Sequence, residues 1–151
     1  MPFVSDSYHS PKLELRRVNH REVGVFATRA IRKGEVLTIS GGVVVPRRKV
    51  WTLPRGFRRF CFYIEHGYYL APSSRRRIGL GFYMNHSCAP NAGDQRGELA
   101  LTAVALRAIR KGEEITCDYR TVAVGDDRRY RPLLRFRCRC QAKNCGGVIR
   151  A

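Results

Sequence analysis

Acidic side chains are scarce in this chain: 12 Asp and Glu stand against 29 Lys and Arg, a formal net charge of +17. Lysine is scarce too, because 24 of those cations are Arg and only 5 are Lys. The Arg clusters sit at Arg47–Arg48–Lys49, Arg58–Arg59, Arg75–Arg76–Arg77 and Arg128–Arg129–Arg131. One reading is an electrostatic footprint for a polyanion, nucleic acid first among them. The other is an Arg-rich composition spread over a solvated surface, since no DNA- or RNA-binding motif accompanies the charge. Long apolar runs are missing as well. Val36 to Pro46 is far too short to span a bilayer and contains Gly41 and Gly42. The start, MPFVSDSYHSPK, has no stretch of signal-peptide length. The expectation is a soluble cytoplasmic protein with no membrane partner, with association to nucleoid or chromatin left open.

Helical periodicity is also nearly absent. No long stretch repeats at 3.6 residues, and one short helix near Arg128–Leu134 is the exception. At 151 residues and 44% hydrophobic the chain makes one domain with a real core, plus at most a small appendage.

What is present is a phrase written twice. ATRAIRKGEVLT (27–38) and ALRAIRKGEEIT (105–116) agree at 9 of 12 positions. Strand-like segments flank each copy: VGVFA and VLTIS around the first, LALTAVAL and EITCDY around the second. The Lys-Gly step signals a turn, because Gly takes positive φ cheaply. Each copy therefore reads as strand, tight connection, strand, with Ile31 and Ile109 pinning the connections to the core. Two such units imply a fold of two related halves. GGVVVP (41–46) reads as a strand stopped by Pro46, and FCFYIEHGYYLAP (60–72) as two strands joined at His66–Gly67. Leu53–Phe57, with Pro54 and Gly56, reads as a loop.

Three further stretches carry chemistry. In YMNHSCAPNA (83–92), His, Cys and two Asn crowd around Pro90. Alone, this is a metal site, a nucleophile site, or a turn with capping side chains. In EITCDY (114–119), a Tyr closing a buried strand would tie its hydroxyl to a nearby carbonyl. In FRCRCQAKNCGG (136–147), Cys138, Cys140 and Cys145 form C-x-C-x4-C. Close thiols without a secretion signal point to zinc rather than disulfides. Three thiolates fall one short of the four that structural zinc takes. The fourth ligand must come from Cys61, Cys88, Cys117 or a His.

Taken together, VGVFATRAIRKGE, NHSCAPN, LRAIRKGEEITCDY and CRCQAKNC, in that order, resemble a SET-domain protein-lysine methyltransferase with a post-SET zinc segment. The resemblance spans the chain from about Val18 to the end. It implies a mainly β fold, a β-clip of small sheets with a C-terminal pseudoknot and a zinc-bound tail. The implied layout is an N-terminal extension over 1–12, a SET domain over 13–122 and a post-SET segment over 123–151. The two copies of the repeat would begin equivalent hairpins in the two halves.

The resemblance also implies an activity: methyl transfer from S-adenosyl-L-methionine to a lysine amine of a protein substrate. It names Cys88 as the fourth zinc ligand beside Cys138, Cys140 and Cys145, leaving Cys61 and Cys117 as buried thiols. It puts Tyr119 beside the transferring methyl. It directs Asn85 to the cofactor's methionyl amine and His86 to its adenine, with main-chain contacts from Glu22, Val23 and Gly24. Cys117, two residues before Tyr119, would line the substrate channel with Tyr83 and Ser40. A Cys there, where the family usually has Phe or Tyr, favours di- or trimethylation.

The chain also departs from the pattern. Glu22 replaces the first Gly of a Gly-x-Gly, Ser40 stands where a Tyr is common, and Phe82–Tyr83 replace an Arg-Phe. Tyr83, Tyr68 or Tyr69 would compensate for the missing hydroxyl. The span from Val45 to His66 leaves little room for the usual insert, so a second subunit of a homodimer would help build the substrate groove. The competing class is a catalytically silent, zinc-bound β-clip module that sits on nucleic acid.

Overall fold

The computed structural model describes residues 3–4, 7–20, 22–58, 60–64, 66–93, 102–122 and 136–149. The short helix expected near Arg128–Leu134 and the cluster Arg128–Arg129–Arg131 lie outside them.

β-Branched and apolar residues between turn signals form short strands, as their composition dictates. The first sheet joins β1 (Phe3–Val4), β6 (Gly42–Pro46), β8 (Tyr68–Ala71) and β7 (Phe62–Tyr63), in the order β1-β6-β8-β7. The second joins β10 (Ala92–Gly93), β11 (Thr102–Ala105), β5 (Val36–Ile39) and β2 (Tyr8–His9) in that order. The third joins β3 (Leu13–Arg17), β4 (Val23–Ala27), β12 (Glu114–Cys117) and β9 (Asn85–His86) in that order. A separate ribbon pairs β13 (Phe136–Arg137) with β14 (Val148–Ile149). The two strands nearest the N-terminus, β1 and β2, thus serve as sheet edges.

The repeat folds differently from the expected hairpins. β4 does not pair with β5, nor β11 with β12. The two copies instead pair with each other: β4 with β12, and β5 with β11, all antiparallel. Between them Ile31 and Ile109 form an antiparallel bridge. The hydrogen bonds come in exchanged pairs. Ile31 N–H donates to Ile109 O at 2.9 Å, and Ile109 N–H to Ile31 O at 2.9 Å. Gly34 N–H donates to Ala105 O and Gly112 N–H to Ala27 O, both at 2.7 Å. Ala105 N–H donates to Glu35 O at 2.9 Å and Ala27 N–H to Glu113 O at 3.0 Å. Each bond maps onto its partner when one copy is exchanged for the other. The phrase is written twice because it builds a pseudo-two-fold interface within one chain, and a two-fold contact requires the same surface on both sides.

The turns themselves match. Gly34 and Gly112 have φ of +83° and +82°, the left-handed region where other residues are strained. The Glu that follows closes each turn. Glu35 Oε1 accepts the Arg32 N–H at 2.8 Å, and Glu113 Oε2 accepts the Arg110 N–H at 3.0 Å.

The main core draws on all three four-stranded sheets. It contains Val25, Leu37, Ile31, Ile109, Ile115 and Cys117, all buried, with Phe62 and Phe82 stacked at 4.4 Å. A smaller core gathers Val45, Val50, Cys61, Tyr69 and Ala71. β6 stops at Pro46 as expected, but a single helical turn, α1 (Arg47–Val50), follows and drops Val50 into that second core. The segment read as a loop at Leu53–Phe57 leads into another turn, α2 (Arg55–Arg58). Pro54 starts it: its carbonyl accepts the N–H groups of Phe57 and Arg58 at 2.8 and 3.2 Å. A third turn, α3 (Tyr119–Val122), follows β12 directly. No helix among the described residues is long and apolar enough to cross a membrane.

Candidate active site

The 85–91 loop is built against β12. β9 runs parallel to β12, with Asn85 opposite Thr116 and His86 opposite Cys117. Ser87 N–H donates to Cys117 O at 3.0 Å. Asn91, 1% exposed, then acts as a substitute strand. Its Oδ1 accepts Thr116 N–H at 2.9 Å, its Nδ2 donates to Glu114 O at 2.8 Å, and its own N–H donates to Thr116 O at 3.2 Å. Its carbonyl accepts Leu106 N–H at 2.9 Å. The sequence motif alone assigns Asn91 no role. A polar side chain buried beside a strand edge is the signal that reveals one, because such groups are almost always fully bonded.

Asn85 lies over β4. Its Nδ2 donates to Val23 O at 3.1 Å and to Glu114 Oε1 at 2.7 Å, which leaves Oδ1 outside both bonds. Gly24 permits this pair. A Cβ on Gly24 would collide with the Glu114 carboxylate and stand 3.0 Å from Asn85 Nδ2. Glu22, which replaces the other Gly, is exposed and faces the β3–β4 turn, where Asn19 Nδ2 donates to its Oε2 at 2.6 Å. The Glu22 carbonyl accepts Val18 N–H at 3.0 Å.

Tyr119 and His86 form the centre. The Tyr119 hydroxyl donates to the Met84 carbonyl at 2.9 Å, as its position after a buried strand implied. Burial keeps that phenol protonated well above its ordinary range, with Cys117 and nearby carboxylates adding to the effect. The rings of His86 and Tyr119 lie 5.4 Å apart, and the Tyr119 N–H donates to His86 Nδ1 at 3.1 Å. Nδ1 is therefore an acceptor, so a neutral His86 carries its proton on Nε2. Burial, helped by the Arg120 charge, lowers the His86 pKa despite Asp118 Oδ1 at 3.7 Å. Nε2 in turn lies 3.3 Å from Cys88 Sγ. His86 thus joins the Tyr119 backbone to the first thiol of a cluster.

That cluster is Cys88, Cys138, Cys140 and Cys145, whose Sγ atoms all lie within 4.8 Å of one another. Cys88 and Cys138 are 3.9 Å apart. A tetrahedral Zn–S bond of about 2.3 Å puts thiolates about 3.8 Å apart, so the donor set fits zinc. The surroundings fit as well. Desolvation raises the Cys140 thiol, but the Cys88 and Ala142 N–H groups and the adjacent thiols outweigh it and bring its pKa to about 6. Desolvation and the neighbouring thiols push Cys88 up to about 12. Asn144 Nδ2 donates to Cys88 O at 2.9 Å and fastens the tail to the loop. Cys61 and Cys117, 4% and 3% exposed, lie outside the cluster, and burial raises both thiols to about 12.

The substrate-channel candidates are only partly gathered. Cys117 belongs to the main core, and Tyr83 and Tyr119 pack against that same core. The Tyr83 ring leans on Phe60, with centroids 5.6 Å apart. Ser40 is buried, 3.4 Å from where a Cβ on Gly81 would stand. Tyr69 is fully buried in the second core, while Tyr68 is exposed.

Comparison with known families matches residues 22–120 to the SET domain. The chain belongs to the SET-domain family. Set2 of Drosophila melanogaster, named a histone-lysine N-methyltransferase, is 42% identical over 71 residues, covering 44% of this chain and 3% of that protein. A Yarrowia lipolytica protein named histone-lysine N-methyltransferase, H3 lysine-36 specific, is 30% identical over 137 residues, 83% of this chain and 16% of that one. ASHH3 of Arabidopsis thaliana, also named a histone-lysine N-methyltransferase, is 28% identical over 153 residues, 91% of this chain and 38% of that one. This SET domain therefore spans well under half the length of these curated relatives.

Proposed function

We propose that this SET-domain protein is an S-adenosyl-L-methionine-dependent protein-lysine N-methyltransferase that favours di- or trimethylation. The observation that carries this is the Tyr119 hydroxyl held 2.9 Å from the Met84 carbonyl, next to Asn85 and His86. When bound, the cofactor supplies a methyl group made electrophilic by a positive sulfur. Two oxygens side by side, a neutral phenol and a carbonyl, suit such a methyl through weak C–H···O contacts. Asn85 Oδ1 would take the cofactor's amine, and the His86 backbone would face its adenine.

The substrate amine must arrive without its proton, because an ammonium has no lone pair. A channel walled by Cys117, Tyr83 and Tyr119 favours the neutral amine by desolvation. Placement of the amine in line with the methyl supplies most of the remaining acceleration. Zinc on Cys88, Cys138, Cys140 and Cys145 would lock the tail against the 85–91 loop and hold that wall in place.

The substrate is a protein lysine. A surface of +17 repels a strongly basic tail. The target lysine therefore lies in a neutral or acidic protein, or enzyme and target meet on nucleic acid. The test is incubation with labelled S-adenosylmethionine and a lysate, followed by mass spectrometry of labelled lysines. Tyr119→Phe should keep cofactor binding and lose turnover by about 10²-fold or more, as removal of a group acting in the transition state does. Full turnover in that variant would overturn the assignment.

A further inference from the structure

The repeat builds a second feature, at the end of β12 away from Tyr119. The two RAIRKGE turns border an open cleft of about 690 Å³. Its floor is Ile31 and Ile109, flanked by Ala30 and Ala108. Its rim carries Lys12, Arg32, Lys33 and Arg110 against a single carboxylate, Glu35. That carboxylate is already engaged by Lys12 at 2.5 Å and by the Arg32 backbone. Arg32 and Lys33 are exposed, and so are their pseudo-two-fold mates Arg110 and Lys111. The pseudo-dyad thus sets two equal cationic turns on either side of a shallow apolar floor.

We propose that this cleft is a sequence-independent docking surface for duplex DNA. Charge complementarity is the first argument: cations exceed carboxylates four to one on the rim, on a chain of net charge +17. Symmetry is the second. A duplex carries phosphates on both sides of each groove and has local two-fold axes, so a pseudo-two-fold pair of cationic turns meets both strands alike. Composition is the third. Single strands are held by stacking on aromatic rings, and this lining has none. It also has no Asn or Gln to read adenine edges, and in the proposed complex its Arg and Lys meet backbone phosphates, the contacts that position without reading sequence. Position is the fourth. The four residues of β12 separate the turns from Tyr119 by about 10 Å at least, so a bound duplex leaves the catalytic end open.

The experiment uses the full chain and a random-sequence duplex of mixed composition, with binding read by fluorescence anisotropy over a salt series. The turn variant combines Arg32→Ser, Lys33→Ser, Arg110→Ser and Lys111→Ser. A control of equal charge combines Arg48→Ser, Lys49→Ser, Arg75→Ser and Arg76→Ser on other exposed segments. The turn variant should bind at least about tenfold more weakly, with a salt slope shallower by about 0.9 for each phosphate it no longer neutralises. The control should stay within about threefold of the parent. Melting temperatures of both variants should match the parent, because all eight side chains are exposed. Three results would overturn the proposal: a turn variant that binds like the parent, a control that weakens as much, or a single strand or poly-glutamate that binds as tightly as the duplex.

Discussion

Ile31 and Ile109 exchange both of their backbone hydrogen bonds at 2.9 Å across the pseudo-two-fold axis, and their side chains are 2% and 1% exposed. They are the same residue of the same phrase, meeting itself. The contact therefore serves both halves of the molecule at once.

Ile109→Ala should lower the unfolding free energy by about 2–5 kcal/mol, the range for truncating a buried Ile. Ile31→Ala should cost a similar amount. The double variant should lose less than the sum, because the two truncations open one shared void. Urea unfolding of the three proteins measures this. Additive losses would show that the two side chains do not share a packing site.

The repeat also predicts a pH dependence. Burial raises the Glu113 carboxyl, but Arg107, the Arg110 N–H and Asn91 Nδ2 outweigh it, and its pKa is lowered. A depressed carboxylate stabilises the fold above its unfolded pKa of about 4.3, and the contribution is lost as pH falls through the lower folded value. Glu113→Gln should therefore flatten the acid limb of the stability curve and leave its neutral plateau lower. The check is urea unfolding from pH 7 to pH 3. An unchanged slope would mean the turn's ion pair is too solvated to matter.

Much of the fold and site is legible in the sequence, and the reasons differ by residue. β4 is readable to its ends, because VGVFA is a short apolar run between a polar turn and a basic one. Three thiols of the cluster, Cys138, Cys140 and Cys145, are readable from their spacing, while Cys88 is named only by the family resemblance. The pairing of the copies is not. Strand composition says which residues extend but not which partner they choose, and local hairpins are the default for neighbours. What decides it is two-fold self-complementarity, which appears only when the two turns are set face to face. Asn91 and Glu114 escape sequence reasoning for a related reason. Their work is done for residues distant in sequence, at the Thr116 N–H and at Asn85 Nδ2. α1 is hidden because four residues cannot show a helical period.

The thiol cluster predicts a metal count and a coupling. Natively purified protein should contain one zinc per chain by elemental analysis. Cys88→Ser should lower that content and also disturb Tyr119, since His86 contacts Cys88 Sγ with one ring nitrogen and the Tyr119 N–H with the other. Chelation should therefore lower both the melting temperature and the methyl-transfer rate, as expected when metal binding is part of folding. Active protein free of zinc would end this reading.

On the proposed function, Cys117 predicts how many methyl groups would be added. Its side chain is 3% exposed, in a core against which Tyr83 and Tyr119 also pack. A Tyr at this place would hold a water and leave room for one methyl only. Cys is smaller and a poor hydrogen-bond donor, so on this reading a methylated amine would have space to turn its lone pair back toward the donor methyl. The competing filler is the Tyr83 ring, but it leans on Phe60 at 5.6 Å, a contact it would have to give up to swing inward. The expected product of the parent enzyme is di- or trimethyl-lysine. Cys117→Tyr should shift it toward monomethyl-lysine, at a stability cost of about 1–3 kcal/mol for overfilling the core. Because that variant can fail to fold, the parent's own product decides the matter. Mass spectrometry after long reaction times that found only monomethyl-lysine would show that another group already closes the channel.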